Sequence, residues 1–325
     1  MTTTLTDTSR GLSTVELTGA ERSEVRALVE RVAGGAAGWV DDAGWQARAR
    51  AASCQLPARL MAAIRGFRHD PGTDGALTIA NLPIEPDALP PTPTVPDSVE
   101  RAATAPATLA TLLAQQLGEV IAYRDEKQGA LVQNVVPVPS LAGTQSNGGS
   151  VPLEFHTENA FHPYRPDYVG LLCLRLAHED QVGTQIASVR RALVLLDAGT
   201  RAVLRDARFV TAAPPSFRSV ASSGPRPVLI GDTDDPDMCV DFHATSALDA
   251  AAAAALLRLR EALTEVRADL VLRPGDMVFV DNRLVVHGRV AFVPRYDGLD
   301  RWLHRVFVHL DNRRNRARRT GAVLV

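Results

Sequence analysis

From about residue 129 onward the chain is written in short β-rich runs, "ALVQNVV", "YVGLLCLRL", "RPVLIGD", "DMVFVD" and "RVFVHL", most of them bounded by glycine, proline, aspartate or asparagine. Branched and aromatic residues in short runs, cut by turn formers, are the pattern of strands in a sandwich or barrel. The N-terminal part reads differently. Thr18 and Glu21 stand at capping-box spacing, and Val25, Leu28, Val29 and Val32 then recur on one helical face. A second helix is expected from Pro106 to Ile121, with Leu109, Leu112, Leu113, Leu117 and Val120 on one side. "DAAAAAALLRLREAL" reads as a further helix. Between the first two helices, "EPDALPPTPTVPDS" holds more proline than a helix or central strand tolerates, so it is a crossing loop or linker. The expected architecture is α+β with a mainly β core and flanking helices. Residues 1–325 form one domain in this reading: 1–128 largely helical and packed on the core, 129–325 the core itself. "TAAPPSFRSVASSGPRP", residues 211–227, is too long and too rich in proline for a hairpin turn; it is either a lid over a site or a plain surface excursion.

With 325 residues, 46% of them hydrophobic, and a formal net charge of −2, the chain can bury a substantial core. Near-zero charge argues against nucleic acid as the main partner, and the arginine-rich "NRRNRARR" near the C-terminus reads as a solvated element end. The opening "MTTTLTDTSRG" is polar, and no run of about 18 apolar residues appears, so no membrane partner and a cytoplasmic location are expected. Cys54, Cys173 and Cys239 are an odd number and far apart, which indicates neither a disulfide framework nor a cysteine metal site. Nothing points to a protein partner.

"FHTENAFH", residues 155–162, concentrates histidine and acid. If it is extended, His156 and Glu158 project from one face, because strand side chains alternate. They then either share a metal or are two polar residues at a strand end. H-E-x-x-H is absent, so a third ligand has to come from a distance. "GDMVFVDNRLVVHGR" offers His287 at the end of an apolar strand, where it is either a ligand facing inward or a hydrogen-bonded core histidine. Two histidines and a carboxylate form the facial triad that leaves positions open on iron(II). In "PRYDGLDRWLHR", Arg301 and Arg305 stand four apart beside an aromatic residue, and arginine suits a bidentate grip on a carboxylate.

Taken together, "HTENAFHPYRPDYVGLLCLR", "GALVQNVVPVP" and "DNRLVVHGRVAFVPRYDGLDRWLHR" resemble the clavaminate synthase-like iron(II)/2-oxoglutarate oxygenases, and most closely their asparagine oxygenase branch. The resemblance runs through nearly the whole chain and is weakest over the first fifty or so residues. It implies a double-stranded β-helix, the cupin-like jelly roll, and an enzyme that hydroxylates the β-carbon of a free L-amino acid with iron(II), 2-oxoglutarate and O2. It implies that His156, Glu158 and His287 hold the iron, Glu158 fitting the family's glutamate variant of the motif. By the same resemblance Arg301 grips the far carboxylate of 2-oxoglutarate with help from Thr184. Arg305 receives the substrate α-carboxylate, Glu126 lies near its α-amine, and Asn147 and Asp241 match the side-chain contacts; Asn159 and His243 are further substrate-binding candidates.

One carboxylate, Asp241, and one amide, Asn147, suit a side chain that both donates and accepts hydrogen bonds, as a carboxamide does, which favours L-asparagine. His243 departs from the small apolar residue of the asparagine oxygenase, so citrulline, glutamine, histidine and arginine stay open. Two readings from other classes also stand beside this one. A zinc hydrolase could use the same three ligands, and a catalytically silent protein of the same fold could keep the pocket.

Overall fold

The computed structural model describes residues 12–34, 38–178, 183–218 and 220–325. The polar opening "MTTTLTDTSRG" lies outside the described residues. Two sheets form the centre. The larger has nine strands, running in space from Ser13–Glu16 through Ala76–Ala80, Met277–Asp281, Tyr168–Arg175, Trp302–His309 and Glu119–Tyr123 to Val323–Leu324 and Arg319–Thr320; the short strand Gln133–Val135 also pairs with Trp302–His309. The smaller has four, in the order Ala268–Leu270, Thr184–Ser188, Val285–Arg289 and Leu153–His156. The fold is the cupin-like double-stranded β-helix, mostly sheet with several helices.

Strand alternation sorts the core into two layers. On Trp302–His309, Trp302, Val306 and Val308 face the layer against the N-terminal helices. Leu303 and Phe307 face the layer between the sheets. Arg305 shares their parity and is thereby delivered, with its charge, into the space between the two sheets.

The capping box forms: Thr18 N–H donates to Glu21 Oε2 at 2.9 Å and Glu21 N–H to Thr18 Oγ1 at 3.2 Å. It starts the helix Gly19–Gly34, which buries Val25, Leu28 and Val29. The alanine-rich helix spans Ala250–Glu265 with Asp249 as its cap.

The expected helix Pro106–Ile121 is corrected. It spans Ala105–Ala114, and residues Glu119–Tyr123 are a strand instead. Val120 and Ile121 belong to opposite core layers, as alternation requires and a helical face forbids. Gly118 makes the switch possible, because a Cβ there would lie 2.3 Å from the His309 carbonyl oxygen.

The proline-rich stretch is stapled down rather than free. Val99 bridges Gln133, Asn134 N–H donates to Ser98 O at 3.1 Å, and Glu100 N–H to Val132 O at 3.0 Å. No helix is long and apolar enough to cross a membrane among the described residues. All three cysteines are free thiols, Cys54 exposed and Cys173 and Cys239 buried.

Candidate active site

The two histidines meet because their strands are neighbours. His287 on Val285–Arg289 pairs directly with His156 on Leu153–His156, and their ring centroids are 4.3 Å apart. This close approach requires Gly288, where a Cβ would sit 2.6 Å from the Leu153 carbonyl oxygen. Glu158 follows in the turn. One ligand atom from each of His156, Glu158 and His287 lies within 4.8 Å of the others, and His287 Nε2 is 3.4 Å from Glu158 Oε2.

These donors fit a divalent metal. His156 Nδ1 is 2.9 Å from the Glu154 carbonyl oxygen, which leaves Nε2 as the nitrogen for a metal. Burial would raise the Glu158 carboxyl, but the Arg305 guanidinium and the two histidines outweigh it and hold the group well below the usual carboxylate range. Burial and the neighbouring His156 push His287 down, so it is a neutral donor at pH 7. Two neutral imidazoles and one carboxylate are the ligand set of iron(II) oxygenases.

The turn carrying Glu158 is fixed from behind by Asn282, which lies between the strands Met277–Asp281 and Val285–Arg289. Its side chain is fully buried; Oδ1 accepts from Glu158 N–H at 2.8 Å, and Nδ2 donates to the carbonyls of Glu158 and Pro166 at 3.1 and 2.8 Å. Thr157 ties the other side, its N–H donating to Val240 O at 2.7 Å.

The expected cosubstrate pair also meets: Arg301 Nη2 donates to Thr184 Oγ1 at 3.2 Å, with both residues buried. Asp300 sets the approach of Arg301 by accepting N–H bonds from Arg295 and Tyr296 at 2.9 and 2.6 Å. Its oxygens are therefore engaged, and the half-exposed His178–Asp297–Asp300 group reads as loop scaffolding.

Arg289 was not read from the sequence. It stands opposite Thr184 in register and two residues from His287, so it points to the same interior. Only 5% exposed, it donates to Val151 O at 3.1 Å and stacks over Phe292, while its Nε has no partner. Burial and nearby Arg301 push it down to about 9. Among the described residues neither Arg289 nor Arg301 is paired with a carboxylate. Two buried guanidinium groups flanking one threonine, without a counter-charge, make a receptor for an anion.

Arg305 is buried differently. Its Nη1 donates to Glu158 Oε1 at 3.0 Å, its Nη2 to Glu126, and its Nε to Gln133 Oε1 at 3.1 Å. Burial opposes the Arg305 charge, yet the two carboxylates raise it above the ordinary arginine value. Glu126, in turn, is raised by burial against the pull of Arg305, and it accepts from Asn159 Nδ2 at 3.1 Å. Gln133 Nε2 is a buried donor with no partner. Gln133 was also missed; it lies in "ALVQNVV", one residue from a strand position that reads simply as core.

The side-chain end is less closely gathered. Asp241 bridges His156 in backbone pairing, which puts it beside the ligands, but its Oδ1 accepts the N–H groups of His243 and Ala244 at 2.8 and 3.0 Å. His243 is exposed on that turn, and Asn147 sits half-buried in the loop before Ser150. Phe217, from the 211–227 loop, is buried against Phe161 and Tyr123, with centroid distances of 4.7 and 5.9 Å, and Arg218 N–H donates to Asp125 Oδ2 at 3.1 Å. Ser219 of that loop lies outside the described residues.

The chain is similar to several known proteins. The model of the taurine catabolism dioxygenase TauD, TfdA family matches residues 107–307. An L-asparagine oxygenase of Streptomyces coelicolor is 46% identical over 306 residues, covering 94% of this chain and 92% of the relative. Clavaminate synthase 2 of Streptomyces clavuligerus is 35% identical over 82% of this chain and 84% of its own. A crystal structure of an asparagine oxygenase with Fe(II), (2S,3S)-3-hydroxyasparagine and succinate superposes with a TM-score of 0.93 at 46% identity, covering 96% of this chain and 98% of the other.

Proposed function

The chain belongs to the TauD/TfdA family of dioxygenases, and from that premise we propose that it hydroxylates the β-carbon of a free L-amino acid, with L-asparagine as the leading substrate. It is an oxygenase dependent on iron(II) and 2-oxoglutarate, as its relatives are. The observation that carries the substrate class is the Arg305–Glu126 pair beside the metal ligands. A buried cation and a buried anion side by side match the α-carboxylate and α-ammonium of a zwitterion, and Gln133 Nε2 adds a donor that is still without a partner.

His156, Glu158 and His287 would hold iron(II), which would supply oxygen activation coupled to the oxidative decarboxylation of 2-oxoglutarate to succinate and carbon dioxide. The protein's own residues position and shield. Arg305 and Glu126 fix the two charged groups on the α-carbon, so the β-carbon is the part of the substrate held over the metal ligands. Asp241 and Asn147 would then meet the side-chain amide. The 211–227 loop would close the site as its lid with Phe217 as the fastening, excluding water. A cytoplasmic setting supplies both 2-oxoglutarate and reduced iron, and a specialised-metabolite pathway is the natural consumer of a hydroxylated free amino acid.

The test is succinate release with iron(II) and 2-oxoglutarate across the free L-amino acids, with mass detection of one added oxygen. The strongest response is expected with L-asparagine. A response confined to arginine, citrulline or another longer side chain would move the substrate while keeping the class, and no response to any free amino acid would sink the reading.

The far carboxylate of 2-oxoglutarate falls to Arg301, Thr184 and Arg289. Losing one hydrogen-bonded charge from such a site costs about 1.5–3 kcal/mol, or roughly 10- to 150-fold in affinity. Arg289→Gln is therefore expected to raise the 2-oxoglutarate Kd, measured by calorimetry, by that factor and leave the amino-acid KM unchanged. An unchanged 2-oxoglutarate Kd would remove Arg289 from the site.

A further inference from the structure

The turn behind Glu126 is built against its own backbone preference. Lys127, Gln128 and Gly129 follow one another with φ of 44°, 56° and 72°, all left-handed, and two of the three carry side chains. Consecutive residues of this kind persist only where the surroundings over-determine them, and they concentrate at functional sites. Here the surroundings are visible. The Lys127 ammonium donates to the carbonyl oxygens of Ser98, at 3.2 Å, and Asn134. Arg101 Nη2 donates to Gln128 O at 2.9 Å, and the turn closes through Gly129 N–H to Glu126 O at 3.0 Å.

Both carbonyls that receive Lys127 are themselves immobilised. Ser98 lies at the end of the proline-rich stretch, where Asn134 N–H donates to its carbonyl and Asn134 Nδ2 to its hydroxyl, at 3.1 and 2.9 Å. Asn134 is held in turn by Trp302 Nε1 at 2.8 Å, three residues before Arg305 on the same strand. A chain of contacts thus runs from the linker through Lys127 to the one carboxylate assigned to the substrate amine.

We infer that Lys127 is a positioning residue for Glu126: its ammonium, tied to the Ser98 and Asn134 carbonyls, holds the left-handed turn that aims Glu126 at the α-amine of the substrate. The proline-rich stretch 85–98 is then the rear wall of the amine subsite rather than a linker. Asn159 steadies the carboxylate from the front, and Lys127 fixes the backbone from behind. The inference rests on the proposed amino-acid substrate.

The test compares Lys127→Gly, Lys127→Met and Lys127→Arg. Lys127→Gly is the decisive variant, because glycine accepts the left-handed backbone without strain and only the tether is lost. The readout is the ratio of affinities for the amino-acid substrate and for its analogue lacking the α-amine, succinamate in the case of asparagine, alongside the KM for 2-oxoglutarate. Lys127→Gly and Lys127→Met are expected to raise the amino-acid KM about tenfold and to shrink the amine discrimination by a similar factor, since small misplacement of a positioned group is costly. The 2-oxoglutarate KM stays within about twofold, and Lys127→Arg restores part of the discrimination. Unchanged discrimination in Lys127→Gly overturns the inference, and so does an equal loss for the amine-free analogue and for 2-oxoglutarate, which marks general damage. If the wild-type protein itself binds no amino acid, the proposed substrate class fails as well, and the two failures are told apart by that wild-type measurement.

Discussion

Glu158→Ala is expected to abolish both iron binding and substrate-dependent succinate formation. Glu158 is the only anion among the three ligands, held in its charged form by Arg305 and the two histidines. Without it His156 and His287 remain, so the variant offers iron(II) two nitrogens and no counter-charge. Removal of a group that merely supports a ligand costs about 10- to 100-fold in metal affinity or activity, and loss of the ligand itself must exceed the upper figure. The measurement is equilibrium binding of iron(II), or of a redox-inert divalent substitute, together with succinate yield. Folding is not expected to fail, because Arg305 keeps Glu126 and Gln133 as partners. Glu158→Gln, which preserves volume, separates the effect of charge from that of packing. Full activity in Glu158→Ala would exclude this carboxylate from the metal centre.

Much of this site is legible in the sequence because its parts lie in strands. The H-x-E spacing brings Glu158 to His156 even though Glu158 lies in the turn after the strand and not on its extended face, and the distant third ligand is His287, in the middle of the neighbouring strand Val285–Arg289. Where local pattern competes with tertiary context, legibility ends. Val120 and Ile121 continue the apolar spacing of the preceding helix, and only the packing of Gly118 against the His309 carbonyl, where a Cβ would come within 2.3 Å, reveals that the backbone has already turned into a strand. Asn282 looks like a strand breaker because its partners, the Glu158 backbone and Pro166, are more than a hundred residues away. Gln133 and Arg289 sit at positions whose importance depends on what faces them across the space between the sheets. For Arg289 a signal was present, since it shares the parity of His287 on one strand and a buried charge at that parity has to meet something. Asp241 and His243 show the converse. Their two-residue spacing suggests a common face, but the turn puts His243 outside and uses Asp241 to cap the backbone.

The second large effect is expected at Arg305. It is the shared partner of two carboxylates, Glu126 and Glu158, in a buried setting where neither has another arginine or lysine at hydrogen-bonding distance among the described residues. Arg305→Gln removes the receiver of the substrate α-carboxylate and at the same time leaves those carboxylates uncompensated. Truncating one partner of a buried, hydrogen-bonded charge pair costs about 2–5 kcal/mol, which is roughly 30- to 4,000-fold in kcat/KM. The direction of the accompanying pH change follows from the same pairings. Arg305 lowers Glu126 and Glu158 against a burial effect that raises them, so without it both bind protons at higher pH. Because their folded-state values rise, the stability that Glu158 contributes in its ionised form is lost at a higher pH on acidification than in the wild type. The variant should therefore show weakened amino-acid binding at pH 7 and an acid limb of metal binding displaced upward. Arg305→Lys is not expected to rescue it, since a single ammonium cannot reproduce the fork that reaches Glu126, Glu158 and Gln133 together. An amino-acid KM within about twofold of wild type in Arg305→Gln would remove Arg305 from substrate recognition, and the zwitterion argument would go with it.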